Sequence, residues 1–169
     1  MTSTENLILG ESTVRQIIKR FAYEVYENNF TEKEIILVGV CDQGYHMAEL
    51  IQQQMIQIVE STKITLVRLD IDKDNPVASD VKLDIALARL KKKSVLIVDD
   101  VLNSGRTMAH CLTALMDADI KKIETIVLVD RSHKRFPLLA NYKGYELSTT
   151  LDDHVEVRLL ESDFGVYLL

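Results

Sequence analysis

The sequence predicts an α/β fold with a central, mainly parallel sheet flanked by helices. Apolar runs of strand length alternate along the chain with helical segments, and this alternation implies right-handed crossovers between parallel strands. Polar loops directly follow several of these runs, at the edge of a parallel sheet where ligands bind. The chain has 169 residues, which is enough for a full core, so we expect one domain over residues 1–169.

The first half of the chain alternates helix and strand. Residues 12–28 place apolar side chains at helical spacing and predict a helix. Residues 35–40, IILVGV, predict a buried strand, which a turn at 41–44 joins to a second helix over about 45–59. Residues 64–71 alternate in part between apolar and polar side chains and predict another strand.

The second half repeats this order and ends in a β-rich tail. Residues 70–80, DIDKDNPVASD, predict a polar loop, and 81–85 a short strand. Residues 95–99 predict a buried strand, followed by a helix at about 105–118 and a strand at 123–129. Three strands are predicted in the tail, at 144–149, 155–160 and 164–168.

Composition excludes several classes of protein. A hydrophobic content of 47% predicts a globular chain, and no apolar run reaches membrane-spanning length. The N-terminus lacks the pattern of a secretory signal, and Cys41 and Cys111 do not make a disulfide framework, so we expect reduced thiols and a cytoplasmic location. The net charge of −6 argues against broad, unspecific nucleic-acid binding.

Residues 95–107, VLIVDDVLNSGRT, are the most informative segment. A buried strand delivers Asp99 and Asp100, and a loop of small residues then opens a helix. Carboxylates can hold a diol or a metal ion, while the free backbone N–H groups and the helix dipole suit a phosphate. A phosphorylated sugar offers a diol to the carboxylates and a phosphate to the backbone N–H groups. A phosphate-accepting metal site and a simple helix cap also contain such acidic pairs, so the pair alone decides nothing.

Three polar loops should meet at one edge of the sheet, because each follows an apolar parallel strand. They span 41–44, 99–107 and 130–137. The sequence contains neither GxGxxG nor GxxxxGK[ST], so a dinucleotide site or a mononucleotide P-loop has no support. The four histidines show no metal-ligand spacing.

On these residues the chain resembles a type I phosphoribosyltransferase, over about residues 8–168. VLIVDDVLNSGRT is similar to that family's signature for phosphoribosyl pyrophosphate (PRPP). Residues 127–144, VLVDRSHKRFPLLANYKG, resemble the segment VLVDRGHRELPIRADYIG of the PyrR group, which comprises uracil phosphoribosyltransferases that also regulate pyrimidine operons. LVGVCDQG at 37–44 is similar to the family's pyrophosphate loop, and 72–80 matches the position of its mobile hood.

The resemblance implies a role for each site residue. Asp99 and Asp100 would hold the ribose hydroxyls, directly or through Mg²⁺, and act in catalysis together with Asn103. The pyrophosphate would lie on the backbone of 42–44, bridged by Mg²⁺, with Arg68 adding positive charge. The residues implied in binding are, for the 5-phosphate, Asn103, Ser104, Gly105, Arg106 and Thr107, and, for the pyrophosphate, Asp42, Gln43, Gly44 and Arg68.

The implied reaction displaces pyrophosphate from C1 of PRPP with a nucleobase nitrogen and gives a nucleoside monophosphate. We expect Asp130, Arg131 and His133 to bind the base. Purine enzymes of the family have a lysine after the fourth strand, where this chain has Asp130 and then Arg131, which favours uracil. Asn103 cannot take a proton at neutral pH. Gln43 replaces a residue that is usually basic.

Two alternatives to a uracil enzyme stay open. One is a nucleotide-sensing RNA-binding regulator of pyrimidine genes, for which the basic run RSHKR at 131–135 is a candidate contact, although the net charge does not favour RNA. The other is an enzyme that salvages hypoxanthine or guanine. We also expect a homodimer or a higher homo-oligomer, with the apolar tail as one candidate contact, and no membrane partner.

Overall fold

The computed structural model describes residues 5–150, 152–160 and 162–169. The helices are α1 (Glu11–Asn29), α2 (Cys41–Ile58) and α3 (Arg106–Leu115), with a 3₁₀ turn at Leu87–Leu90. The strands are β1 (Asn6–Gly10), β2 (Glu34–Val40), β3 (Lys63–Asp70), β4 (Lys82–Leu83), β5 (Ser94–Leu102), β6 (Lys122–Arg131), β7 (Tyr142–Leu147), β8 (Val155–Arg158) and β9 (Gly165–Leu168).

The main sheet has six strands in the order β4-β3-β2-β5-β6-β7, and all neighbours are parallel except β3 and β4. This arrangement confirms the predicted α/β class. Every residue of β2 is buried, as expected for a central parallel strand covered on both faces. Ile35 and Leu37 face the apolar layer under α1 and α2, and Ile36 and Val38 face the layer under α3.

Two glycines let α2 begin directly against the sheet. A Cβ on Gly44 would lie 2.7 Å from the carbonyl oxygen of Val98 and 3.2 Å from the Cα of Asp99. A Cβ on Gly39 would lie 2.3 Å from the Cα of Tyr45. Because neither position has room for a side chain, the start of α2 lies beside the acidic end of β5.

The tail forms a separate small sheet with the beginning of the chain. Its order is β1-β9-β8, and both pairings are antiparallel. The strands predicted at 155–160 and 164–168 are confirmed as β8 and β9, whereas β1 was not predicted. Only Leu9 of β1 is buried among its neighbours, so the apolar pattern of this five-residue strand is weak.

Several predicted boundaries were wrong near the ends of strands. The predicted turn at 41–44 is the first turn of α2, and Cys41 enters it with a positive φ of 53°. The strand predicted at 95–99 extends to Leu102, because parallel pairing with β6 continues through Leu102 and Asp130. The helix predicted to reach 118 ends at Leu115. Among the described residues, no helix has the length and apolarity needed to cross a membrane.

Candidate active site

The acidic pair lies inside β5, three and two residues before the strand ends at Leu102. Asp99 is 3% exposed and Asp100 is half-buried. Both line a cavity of about 890 Å³ at the carboxyl edge of the sheet. The Oδ1 atom of Asp99 accepts a hydrogen bond of 2.9 Å from the backbone N–H of Asp100, which fixes the orientation of the first carboxylate.

Lys73, from the loop after β3, is the counterion of this pair. Its Nζ atom lies 2.8 Å from Oδ1 of Asp99 and 3.2 Å from Oδ1 of Asp100. Burial, and then the charge of Asp100, raise the pKa of Asp99. Burial opposes ionisation of Asp100, but the Lys73 ammonium outweighs it and lowers that pKa. Burial also disfavours the Lys73 cation, yet the two carboxylates outweigh it and raise its pKa.

The loop of residues 103–107 follows β5 and opens α3, and it is called the phosphate loop after the role that the sequence predicts for it. Gly105 is the residue before the helix and has a φ of 87°, a conformation that suits glycine. A Cβ there would lie 3.4 Å from both the Cβ and the carbonyl oxygen of Phe136. The carbonyl oxygen of Ser104 accepts hydrogen bonds from the backbone N–H groups of Arg135 and Phe136, at 2.9 and 3.0 Å. The segment after β6 therefore lies directly against this loop.

Two arginines at the phosphate loop have guanidinium groups without a partner among the described residues. Arg106 and Arg135 both line the cavity and are exposed. Within the described ranges, neither side chain has a hydrogen-bond or ion-pair partner. The N-terminus of α3 adds the positive end of its dipole and unpaired N–H groups. This end of the cavity therefore suits an anion.

At the start of α2, the polar side chains that could bind an anion already have hydrogen-bond partners within the protein. The Nη2 atom of Arg68 lies 2.6 Å from Oδ1 of Asp42, and its Nε atom bonds Asp70. These hydrogen bonds with Asp70 and Asp42 raise the pKa of Arg68. Gln43 reaches the cavity, and its Oε1 accepts a hydrogen bond of 3.1 Å from the backbone N–H of Leu159.

The residues predicted to bind the base are engaged with other parts of the protein. Arg131 is 8% exposed. Its Nη1 atom donates to Oδ1 of Asn103 at 3.1 Å, and its Nη2 atom donates to the carbonyl oxygen of Asp153 at 2.9 Å. Its Nε atom is the buried side-chain polar atom without a partner in the described part of the chain. His133 contacts the carbonyl oxygen of Thr149.

Asp130 forms an ion pair with Lys134, which also donates to the carbonyl oxygen of Arg131. This contact folds the segment after β6 back on itself. The hydrogen bonds from Arg131 then join the phosphate loop, at Asn103, to Asp153, which lies shortly before β8. The three predicted base residues thus support the cavity from behind rather than line it.

Strand β8 closes the opposite side of the cavity with an open backbone edge. His154 and Leu169 exchange both backbone hydrogen bonds, so by antiparallel alternation Glu156 and Arg158 also bond β9. The N–H and C=O groups of Val155 and Val157 therefore point away from β9. Both residues line the cavity, and the next residue of that set, Leu159, gives its N–H to Gln43.

The cavity brings together part of the predicted site and adds residues that sequence reasoning missed. Predicted residues that line it are Gln43, Asp99, Asp100, Asn103, Ser104, Gly105, Arg106 and Thr107. Those outside its lining are Asp42, Gly44, Arg68, Asp130, Arg131 and His133. The missed contributors are Lys73, Arg135, Phe136 and the β8 edge. The available signals in the sequence were a lysine in the predicted hood loop and Arg135 at the end of the basic run RSHKR.

A metal at this site would need ligands from the substrate. Among the described residues, no group of three or more His, Cys, Asp or Glu side chains is arranged to hold a metal ion. No described residue donates a hydrogen bond to Oδ2 of Asp99 or Asp100. Mg²⁺ is commonly bound by one or two carboxylates together with phosphate oxygens and water, so these residues fit that ion.

A parallel α/β sheet with an acidic pair and a phosphate loop at its carboxyl edge defines a sugar-phosphate-binding enzyme fold. The family model described as the phosphoribosyl transferase domain matches residues 8–162, so the chain belongs to the phosphoribosyltransferases, enzymes of the pentosyltransferase class. Within them it is a type I enzyme related to the PyrR proteins.

Two of these relatives show the extent of the match. The bifunctional protein PyrR of Fusobacterium nucleatum subsp. nucleatum is 35% identical over 164 residues, covering 93% of this chain and 92% of that protein. The protein of the same name from Clostridium perfringens is 34% identical, covering 92% and 91%.

Solved structures show the same fold at lower identity. The hypoxanthine phosphoribosyltransferase of Trypanosoma cruzi superposes with a TM-score of 0.80 at 15% identity, covering 97% of this chain and 95% of that one. The hypoxanthine phosphoribosyltransferase of Staphylococcus aureus gives 0.77 at 17% identity, covering 97% and 90%. At these identities the likeness concerns the fold alone.

Proposed function

We propose that this enzyme transfers the 5-phosphoribosyl group of PRPP to uracil, with Mg²⁺, releasing pyrophosphate. The observation that carries the proposal is a single cavity that joins an acidic pair, a phosphate loop and an open strand edge. These three features match the three parts of the substrates: a ribose diol, a phosphate and a planar base. The PyrR relatives favour uracil as that base.

The 5-phosphate binds at the phosphate loop. Backbone N–H groups of 104–107 and the α3 dipole favour a dianion. Arg106 and Arg135 add two guanidinium groups that need not leave another partner first. A charge-assisted hydrogen bond from arginine to phosphate is roughly twice as strong as a neutral one. Ser104 and Thr107 offer hydroxyl groups at the same end.

The ribose hydroxyls bind Asp99 and Asp100 through the Oδ2 atoms, which no described residue occupies. Asp99 and Asp100 would also hold Mg²⁺, whose charge would help to neutralise the leaving pyrophosphate. The pyrophosphate lies against the start of α2, at Asp42, Gln43 and Gly44. Arg68 adds positive charge there once its pairs with Asp42 and Asp70 give way.

The base lies against the open edge of β8. Uracil presents adjacent carbonyl acceptors and an N–H donor along one edge, and the backbone of Val155 and Val157 offers complementary groups. Arg131 acts through Asn103 and through Thr149, Thr150 and Asp153, so it positions the site rather than contacting the base. His133 supports the same segment through Thr149, and Asp130 does so through Lys134.

The transfer breaks the bond from C1 to the pyrophosphate oxygen and forms a bond from C1 to a base nitrogen. That nitrogen loses its proton to water or to the departing pyrophosphate. The transition state resembles an oxocarbenium ion, so catalysis rests on positioning, charge neutralisation and exclusion of water. Asn103 is not a base at neutral pH. The reacting nitrogen of uracil is acidic enough to lose a proton without a strong enzymic base, so the absence of a base at residue 103 is compatible with uracil.

The test is the initial rate of pyrophosphate release with PRPP, Mg²⁺ and one of uracil, hypoxanthine or guanine. We expect uracil to be the fastest. Faster turnover of either purine would overturn the choice of base and leave the PRPP site intact. A protein that binds no PRPP in calorimetry, with Mg²⁺ present, would contradict the site itself.

A second candidate function is nucleotide-dependent regulation through RNA, because the relatives that cover most of this chain are named as bifunctional proteins. A gel shift with pyrimidine leader RNA, with and without UMP, tests this function separately. Binding that responds to UMP, together with no turnover of any base, would favour the regulator. The homo-oligomer and the cytoplasmic location stay predictions, and light scattering tests the first of them.

A further inference from the structure

The loop after β3 presents a single cation to the acidic pair. Ile71 anchors this loop: it is 7% exposed, and its carbonyl oxygen accepts a hydrogen bond from Sγ of Cys41. Beyond it, Oδ1 of Asp72 accepts hydrogen bonds from the backbone N–H groups of Asp74 and Asn75. The resulting tight turn places Lys73 against β5, so the position of its ammonium is built into the loop.

The contact occupies one side of the acidic pair and leaves the other open. Nζ of Lys73 lies between the two Oδ1 atoms, at 2.8 and 3.2 Å. Both Oδ2 atoms lack a donor among the described residues. With Lys73 in place its positive charge offsets part of the negative charge of the acidic pair.

We propose that Lys73 is an internal counter-cation that keeps free divalent metal off the acidic pair, so that the metal binds only together with PRPP. The inference rests on the proposed PRPP site, and it concerns which cation the carboxylates hold before substrate arrives. Repulsion between an ammonium and a divalent ion a few ångströms apart in a half-buried site is strong. A ribose diol carries no charge and can use the open Oδ2 atoms while Lys73 remains.

This role makes Lys73 a residue that controls the affinity of the acidic pair for free metal, rather than one that only stabilises the loop. Its side chain is 38% exposed, so it can move without unpacking the core. Removing its charge should leave two nearly buried carboxylates with no cation, and such a pair attracts a divalent ion. A purely structural lysine would change the stability of the protein without changing its affinity for metal.

The experiment titrates Mn²⁺ into the protein without PRPP and follows free Mn²⁺ by electron paramagnetic resonance. The proteins are the wild type and the variants Lys73→Met, Lys73→Arg and Lys121→Met. Lys121 pairs with Glu32 at the opposite edge of the sheet and serves as a matched control. We expect Lys73→Met to bind Mn²⁺ at least about tenfold more tightly than wild type. Lys73→Arg, which keeps the charge, and Lys121→Met should both stay at the wild-type value.

Equal Mn²⁺ affinity in wild type and Lys73→Met, with both folded by circular dichroism, would overturn the proposal. So would a gain in Lys73→Arg as large as that in Lys73→Met, because charge would then not be the cause. Calorimetry of PRPP with Mg²⁺ on the wild type separates the two levels of inference. Its failure would contradict the proposed function, whereas the Mn²⁺ titration without substrate reports on Lys73 alone.

Discussion

The two ends of the cavity differ in whether their cationic side chains are paired with carboxylates. At the phosphate end, formed by 103–107 and Arg135, the cationic side chains have no partners within the described ranges. At the acidic end, Asp99, Asp100 and Lys73 line the cavity, and Arg68 and Asp42 lie outside its lining. Both cations there are paired with carboxylates of the same chain. The phosphate end is ready for an anion, whereas the acidic end must exchange partners when a ligand arrives.

The difference has a physical consequence for binding. An anion at the phosphate end adds contacts and breaks none, so each group lost there should cost roughly its own contribution. A ligand at the acidic end replaces existing ion pairs. Its binding free energy is therefore the difference between the energy of the new contacts and that of the ion pairs lost, and both are large. Single changes at the acidic end should therefore have effects that depend on which partner is left behind.

The largest expected effect is at the acidic end. Asp100→Asn removes a charge with little change in volume and should reduce PRPP affinity more than about 100-fold, since it takes away an ionised ligand of the ribose and the metal. Asp99→Asn should cost less, because its side chain is 4% exposed compared with 16% for Asp100. Calorimetry with Mg²⁺ measures both.

Glu146→Gln, which removes an exposed carboxylate on β7, is the matched control and should bind PRPP like wild type. If Asp100→Asn and Asp99→Asn also bind PRPP normally, the acidic pair does not hold the substrate and the comparison between the two ends has no basis.

The second effect concerns the backbone of the phosphate end. Gly105→Val places a β-branched side chain at a φ of 87° and against Phe136, so it should weaken binding of ribose 5-phosphate more than Thr107→Ala does. Thr107→Ala removes one hydroxyl and should cost about 1–2 kcal/mol. Because Gly105→Val strains the fold as well, Gly105→Ala and thermal denaturation of each variant serve as controls. A larger loss in folded Thr107→Ala than in folded Gly105→Ala would contradict a backbone cradle.

How far the sequence predicts these two ends depends on distance along the chain. The phosphate loop and the acidic pair lie in one continuous segment, VLIVDDVLNSGRT, whose strand, loop and helix place them without help from the rest of the fold. Periodicity also predicted the main strands and helices. What it missed comes from segments that meet only in three dimensions.

Lys73 is the clearest case of such a miss. It lies 26 residues from Asp99 in a loop with no periodic pattern, and nothing local indicates that its ammonium faces the carboxylates. Arg131 is the converse case: its place after a buried strand favoured a contact with the base. In the structure it bonds Asn103, 28 residues away, and also Thr149, Thr150 and Asp153, and its contact with the base stays a prediction. Side-chain direction beyond a strand end depends on tertiary contacts that composition does not encode.

A third prediction compares one arginine from each end. Arg135→Gln should weaken ribose 5-phosphate binding about tenfold, because it removes one charge-assisted contact, and should leave the melting temperature unchanged. Arg68→Gln should leave ribose 5-phosphate affinity unchanged. It should weaken pyrophosphate binding and lower the free energy of unfolding by less than about 1 kcal/mol, since Arg68 is partly exposed. The reverse pattern would show that the two ends do not differ as described.

The smallest expected effect is at Asn103, in the phosphate loop. Its Oδ1 atom accepts a hydrogen bond from Nη1 of Arg131, so in Asn103→Asp the new carboxylate would meet a buried guanidinium at once. An ion pair with arginine favours the ionised form and lowers the basicity of the carboxylate. A general base is worth about 10²–10⁴-fold when its pKa lies near the working pH, and this one would not. We therefore expect Asn103→Asp to raise the rate with hypoxanthine less than about tenfold and to leave uracil as the faster base.

The double variant Asn103→Asp with Arg131→Gln should gain more, provided that it remains folded, because the carboxylate would no longer be paired. Initial rates with both bases measure this, and a large gain in the single variant would show that Arg131 does not hold residue 103 during the reaction.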